Sequence, residues 1–98
     1  MTARDPGVID VHLGRRIRGV RERVGMSQHG LARLLGVSPQ QIQKYEGAVN
    51  RVSASRLYQI GLALGVPVQQ FFKGLGKSAE TLPNVSNEDT RATWRPGG

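Results

Sequence analysis

The sequence predicts an all-α fold: a compact bundle of five short helices with flexible tails at both ends. Three observations predict it. Apolar residues between Leu13 and Phe72 recur at spacings of three and four instead of alternating; Ser, Pro and Gly fall where helices start and stop; and 98 residues suffice for one small domain. The expected boundaries are a flexible arm over 1–9, a helical domain over 10–73 and a disordered tail over 74–98.

The arm, with Pro6-Gly7, shows no periodicity. Asp10 is read as the N-cap of the first helix, on which Leu13, Ile17, Val20 and Val24 form one apolar stripe. Arg15, Arg16, Arg18, Arg21 and Arg23 are assigned to its other faces, and Gly25 to its stop. Ser27 caps a second helix with Leu31, Leu34 and Leu35 inward, ended by the left-handed turn that Gly36 adopts cheaply. Ser38 caps a third, with Pro39 at the first helical position, where its missing N–H costs nothing, and Ile42 and Tyr45 on the inner face. Ser53 opens a fourth, holding Leu57, Ile60 and Leu64 and stopped by Gly65. Pro67 starts a short fifth that delivers Val68, Phe71 and Phe72. Beyond Lys73, Gly, Pro, Asn and Ser dominate, a composition that cannot bury enough apolar surface to order itself. Trp94 is the largest apolar residue there, either an incidental exposed side chain or an anchor for a partner.

Fourteen Lys and Arg against seven Asp and Glu give a formal charge of +7, which favours a polyanionic partner or an anionic membrane surface. The excess belongs to the folded part, since residues 11–77 carry eleven Lys or Arg against only Glu22 and Glu46. The absence of cysteine excludes a disulfide framework, a thiolate metal site and a cysteine nucleophile, and fits a reducing compartment. No apolar run approaches the roughly 20 residues of a membrane span, and the opening MTARDPGVID lacks the apolar stretch of a signal peptide, so a cytoplasmic protein is expected. His12 and His29 stand apart without acidic or thiolate company, so neither metal nor cofactor is expected. Asp10, Glu22 and Glu46 occur singly, and nothing assembles a nucleophile, a base and an orienting group; an enzyme is not expected. Gly76-Lys77-Ser78 lacks the earlier glycine and preceding strand of a phosphate-binding loop.

The window from Ser27 to Glu46 carries the functional signal. Two short helices that cross steeply need a small residue where backbones approach, a glycine at the turn and apolar residues locking the pair. Ala32, Gly36, Leu31, Leu35, Val37, Ile42 and Tyr45 meet those needs at matching offsets, within Ser-Gln-x-x-Leu-Ala, Leu-Gly-Val-Ser and Ile-x-x-Tyr-Glu. At these residues the chain resembles the Cro and phage-repressor type of helix-turn-helix regulators, the XRE family, and the likeness extends over roughly Leu13 to Phe72. The resemblance implies a lambda-repressor-like five-helix domain that binds double-stranded operator DNA as a homodimer, with the third helix in the major groove. It implies a sequence-specific transcriptional regulator, more often a repressor, with no small-molecule ligand domain in this stretch.

Carried over residue by residue, the likeness assigns Gln28 to a DNA phosphate at the start of the second helix. Gln40, Gln41 and Lys44 are assigned to base edges or nearby phosphates, with the helix start at Ser38 and Pro39 beside them and Gln43 as a flank contact. Asn50 and Arg51 are assigned to the DNA backbone, with Arg56 adding charge nearby and Arg15 and Arg16 extending the footprint. Glutamine offers a donor and an acceptor together to adenine, and lysine donates to guanine, so these side chains suit base discrimination. Two departures from the family pattern bear on this surface. Glu46 is followed by Gly47 and then Ala48, where the family has glycine at the second place, so the helix is expected to stop one residue early; otherwise Ala48 takes a left-handed conformation. Val52 stands where proline often precedes the fourth helix. The dimer contact is expected at the fifth helix and its surroundings. Two other function classes fit the same composition. One is a protein-interaction module, such as an antitoxin or anti-regulator, working through Phe71, Phe72, Leu75 and Trp94; the other is a non-specific nucleic-acid binder, for which aromatic stacking platforms are lacking.

Overall fold

The computed structural model describes residues 7–75; the first six residues and 76–98, including Trp94, lie outside it. Four α-helices, α1 (Val8–Arg23), α2 (Gln28–Leu35), α3 (Pro39–Glu46) and α4 (Ala54–Leu64), are followed by a 3-10 helix over Val68–Phe72, and no strand occurs among the described residues. The expected fifth α-helix is therefore this 3-10 segment. Five residues are too few to offset α-helix nucleation, and Gln70 N–H donates to the Pro67 carbonyl at 3.0 Å in the tighter i→i+3 pattern.

Helix starts follow side-chain chemistry. Ser27, Ser38 and Ser53 accept at Oγ from the backbone N–H of Gly30, Gln41 and Arg56 at 2.9, 3.1 and 3.1 Å. α1 departs from expectation: its N-cap is Gly7, and Asp10 sits three residues in, accepting from the Gly7 N–H at 3.3 Å. An aspartate in the first turn is stabilised by the positive end of the helix dipole. Val8 and Ile9 are exposed, so the apolar period begins only after the helix does.

All four helices end in the same pair of bonds. In α1 these run from Gly25 N–H to Glu22 O and from Met26 N–H to Arg21 O, both 3.0 Å, and α2 and α4 repeat them at Gly36-Val37 and Gly65-Val66. In α3 the left-handed residue is Ala48 (φ 60), while Gly47 stays at φ −90. Ala48 N–H donates to Tyr45 O at 3.2 Å and Val49 N–H to Lys44 O at 2.9 Å. The expectation of an early stop at Gly47 is overturned, at a backbone cost of about 1–2 kcal/mol. The helix must run through Glu46 to carry its carboxylate to Arg21, as described below.

Leu13, Ile17, Val20, Leu31, Ala32, Ile42, Tyr45, Leu57, Ile60, Leu64 and Phe71 form the core. Two residues expected inside, Val24 and Leu34, are exposed, and one expected outside, Arg21, is buried. Position 21 lies four residues after Ile17, on the apolar stripe itself, so a guanidinium continues the face that Val24 leaves. Arg16 is also turned to packing, its Nε donating to Gln70 O at 2.9 Å and fastening the 3-10 helix to α1. Phe71 is wholly enclosed and is no anchor for a partner; Phe72 is exposed. Gly14 marks the closest approach of α1 to α3: a Cβ there would stand 2.5 Å from Glu46 O and 2.8 Å from Tyr45 O.

Candidate nucleic-acid interface

α2, the three-residue turn Gly36–Ser38 and α3 form one packed unit, and α1 holds its open end. The fastening is an ion pair. Arg21 Nε donates to Glu46 Oε2 at 2.6 Å and Nη2 to Oε1 at 3.1 Å, while Nη1 donates to Met26 O at 2.8 Å, so all three guanidinium nitrogens are engaged. The side chains are 9% and 5% exposed. Hydrogen bonding to Glu46 holds the Arg21 pKa above its ordinary value, outweighing burial, which pulls it down. A planar guanidinium meeting a carboxylate by two parallel bonds fixes orientation as well as distance.

Gln28, assigned from the sequence to a phosphate, is the third member of this cluster. Its Nε2 donates to Glu46 Oε1 at 3.0 Å. This leaves the side chain half-buried at the first position of α2, where the first N–H groups of a helix have no partner within it. The recess around it is lined by Arg18, Ser27, His29, Gln43 and Gly47 besides the cluster itself. Arg18, paired with Glu22 at 3.1 Å and 65% exposed, and His29 are members of this surface that the sequence reading passed over. The signal was available: His29 directly follows Gln28, and Arg18 lies three residues before Arg21 on the same helix face.

On α3 the exposed face consists of Gln40, Gln43 and Lys44, spaced i, i+3 and i+4, opposite Ile42, Tyr45 and Glu46. None of the three side chains makes a hydrogen bond among the described residues. Gln41 is half-buried, so Gln41 and Gln43 exchange the positions expected of them: Gln43 joins the outward face and Gln41 lies at its edge. Ser38 and Pro39 shape the entry, Ser38 exposed and Pro39 half-buried. In the loop after α3, Asn50 is half-buried, and its N–H donates to Lys44 O at 3.2 Å. Arg51 is exposed and pairs with Asp10 of α1 at 3.4 Å. Arg56 turns away from this loop, its Nη1 donating to Leu35 O at the end of α2 at 3.4 Å. Arg16, bound to Gln70, does not extend the surface.

Comparison with known proteins agrees with this geometry. A family model described as a helix-turn-helix domain matches residues 12–71. An uncharacterized transcriptional regulator in the ATPase CF(0) region of Rhodospirillum rubrum is 54% identical over 67 residues, 68% of this chain and 62% of that protein. Among solved structures, the restriction-modification controller protein C.AhdI of Aeromonas hydrophila matches with a TM-score of 0.60 at 29% identity, covering 63% of this chain and 94% of the other. The clp gene regulator ClgR of Corynebacterium glutamicum gives a TM-score of 0.65 at 27% identity, covering 67% and 86%. The chain spans about three fifths of the length of the curated relatives it matches.

Proposed function

This chain belongs to the helix-turn-helix domain family, and we propose that it is a transcriptional regulator that binds double-stranded DNA sequence-specifically through α3. The observation that carries the reading is the face of Gln40, Gln43 and Lys44: three long polar side chains, exposed together and unengaged among the described residues, on a helix whose opposite face is locked into the domain. Side chains already bonded within the protein would have to give up those bonds to reach a base; these do not.

In this reading α3 enters the major groove with Gln40 and Lys44 at base edges and Gln43 beside them, while Gln41 contributes from the edge of the helix. Gln28, held by Glu46, presents the start of α2 to a phosphate, and Ser38 and Pro39 bring the first turn of α3 close to the backbone. Asn50 and Arg51 grip the flanking phosphates, Arg51 exchanging Asp10 for DNA. Two copies, related by a two-fold axis, place their α3 helices in successive major grooves about 34 Å apart. Such a protein works in the cytoplasm, and occupancy of a promoter, which excludes polymerase, makes it a repressor.

A salt titration tests the proposal. Duplexes selected from a random library and unselected duplexes of the same length are titrated with the protein between about 50 and 200 mM salt. A sequence-specific regulator keeps at least a thousandfold affinity ratio while both affinities fall with salt. A ratio near one at every salt concentration means binding by charge alone and refutes it.

A further inference from the structure

The carboxylates among the described residues are all paired: Asp10 with Arg51, Glu22 with Arg18 and Glu46 with Arg21. α2 and α4 hold none, and the groove between them is lined by Leu34, Leu35, Gln59, Leu62 and Ala63. Leu34 is 60% exposed and Leu62 66%, with Tyr58, 60% exposed, one turn before Leu62 on α4. Single exposed leucines are ordinary, but two lining one groove with a tyrosine beside them form a patch. Two cations adjoin these residues: exposed Arg33 precedes Leu34 in the chain, and half-buried Arg56 donates from Nη1 to Leu35 O at 3.4 Å. A fitting occupant brings small apolar side chains flanked by carboxylates.

We propose that the occupant is the chain's own segment 79–90, docked in the α2–α4 groove. This goes beyond DNA binding and does not depend on it. The segment reads AETLPNVSNEDT: Leu82 and Val85 supply the apolar side chains, Glu80, Glu88 and Asp89 flank them, and it contains no lysine or arginine. Length permits it. Ten residues from Leu75 to Val85 span up to about 33 Å, more than the roughly 28 Å across a domain of this size, and the seven to Leu82 span up to about 23 Å, most of that width. Magnitude favours a tethered occupant over a second copy. An apolar patch on a monomer typically offers a few hundred Å², well short of the roughly 800 Å² that each partner contributes to a standard interface. A segment on a short tether is present at an effective concentration in the millimolar range, so weak affinity suffices.

The chain has no cysteine, so paired cysteines report the docking directly. Full-length variants carrying Gln59→Cys with either Leu82→Cys or Val85→Cys are equilibrated in a glutathione redox buffer. The control is Arg23→Cys with the same partner, at an exposed site at the end of α1. At least one Gln59 pair closes within a single chain with an effective concentration ten or more times that of its control, independent of protein concentration. Adding Leu34→Ser and Leu62→Ser, both exposed and so tolerated by the fold, brings the value down to the control; a far-ultraviolet circular dichroism spectrum verifies that the helices remain. Equal closure for both Gln59 pairs and their controls overturns the proposal, as does closure that ignores the leucine substitutions. A covalent dimer formed efficiently by Gln59→Cys alone overturns it in favour of a second copy in the groove.

Discussion

On the outward face of α3, the side chains of Gln40, Gln43 and Lys44 project from a helix started conventionally by Ser38 and Pro39, with no hydrogen bond to the rest of the described domain. At its C-terminal end, Glu46 is gripped by Arg21 and Gln28, the backbone lies against Gly14, and Ala48 is held left-handed. The open face and the clamped end belong to one eight-residue helix yet answer to different constraints. A reading surface must be free to bond elsewhere, so its residues can change without cost to the fold. The clamped end sets the angle at which that surface is presented, so its residues act through position and through each other. Changes at the clamp should therefore cost stability first, and changes on the open face should cost selectivity alone.

The largest expected effect is at the clamp. Glu46→Ala leaves the Arg21 guanidinium buried without its carboxylate and should lower unfolding free energy in urea by about 3 kcal/mol, the low end for a broken buried pair because the recess admits water. A change below about 1 kcal/mol would remove the clamp from the account. Gly14→Ala comes next. Its methyl would press on two α3 carbonyls, helices would have to separate, and a loss of about 2 kcal/mol is expected from the overpacking.

A smaller effect of opposite sign sharpens the point. Exchanging Gly47 and Ala48 moves glycine to the left-handed position and places a methyl at φ −90, where its nearest neighbour would be Gln43 O at 3.4 Å. Composition is unchanged, so unfolded-state terms largely cancel. Relief of about 1–2 kcal/mol less the partial loss of one buried methyl, at most about 0.8 kcal/mol, leaves a gain near 1 kcal/mol, read as a raised urea midpoint. Arg51→Ala should do least to the fold. Its side chain is 58% exposed and its bond to Asp10 is long, at 3.4 Å, so stability shifts by no more than about 0.5 kcal/mol, while the slope of log affinity against log salt for DNA falls by about 1.

Much of the frame was legible because it rests on local rules. Serine caps, the left-handed glycines at 25, 36 and 65, and the inward positions Ala32, Ile42 and Tyr45 stand where spacing placed them. What escaped depends on partners distant in sequence. Arg21 is assigned from the sequence to a face off the apolar stripe and Glu46 is given no partner, although 17, 20, 21 and 42, 45, 46 repeat the same inward spacing; a charge on an apolar stripe invites a search for its opposite on another. Gly14 carried a similar signal, since a glycine inside a helix costs roughly 1 kcal/mol relative to alanine unless something must come close. Leu34 was placed inside by periodicity alone, but α2 is so short that its buried face has room for Leu31 and Ala32 with Leu35 only partly covered. The fifth helix fell to its length: apolar spacing marks the buried Phe71 yet cannot tell one turn of α-helix from a 3-10 turn.

The central claim is that the open face of α3 selects the DNA sequence while the clamp only positions it. The direct measurement compares the base preferences of the wild-type protein with those of the Gln40→Ala, Lys44→Ala double variant, by selection from a random duplex library followed by affinity measurements at fixed salt. Discrimination should fall by about 1–3 kcal/mol for each lost bidentate contact, at one or two positions per half-site, with unfolding free energy within about 0.5 kcal/mol of wild type. A double variant that keeps the same preferred sequence and the same selectivity would contradict the account and move the reading surface off α3.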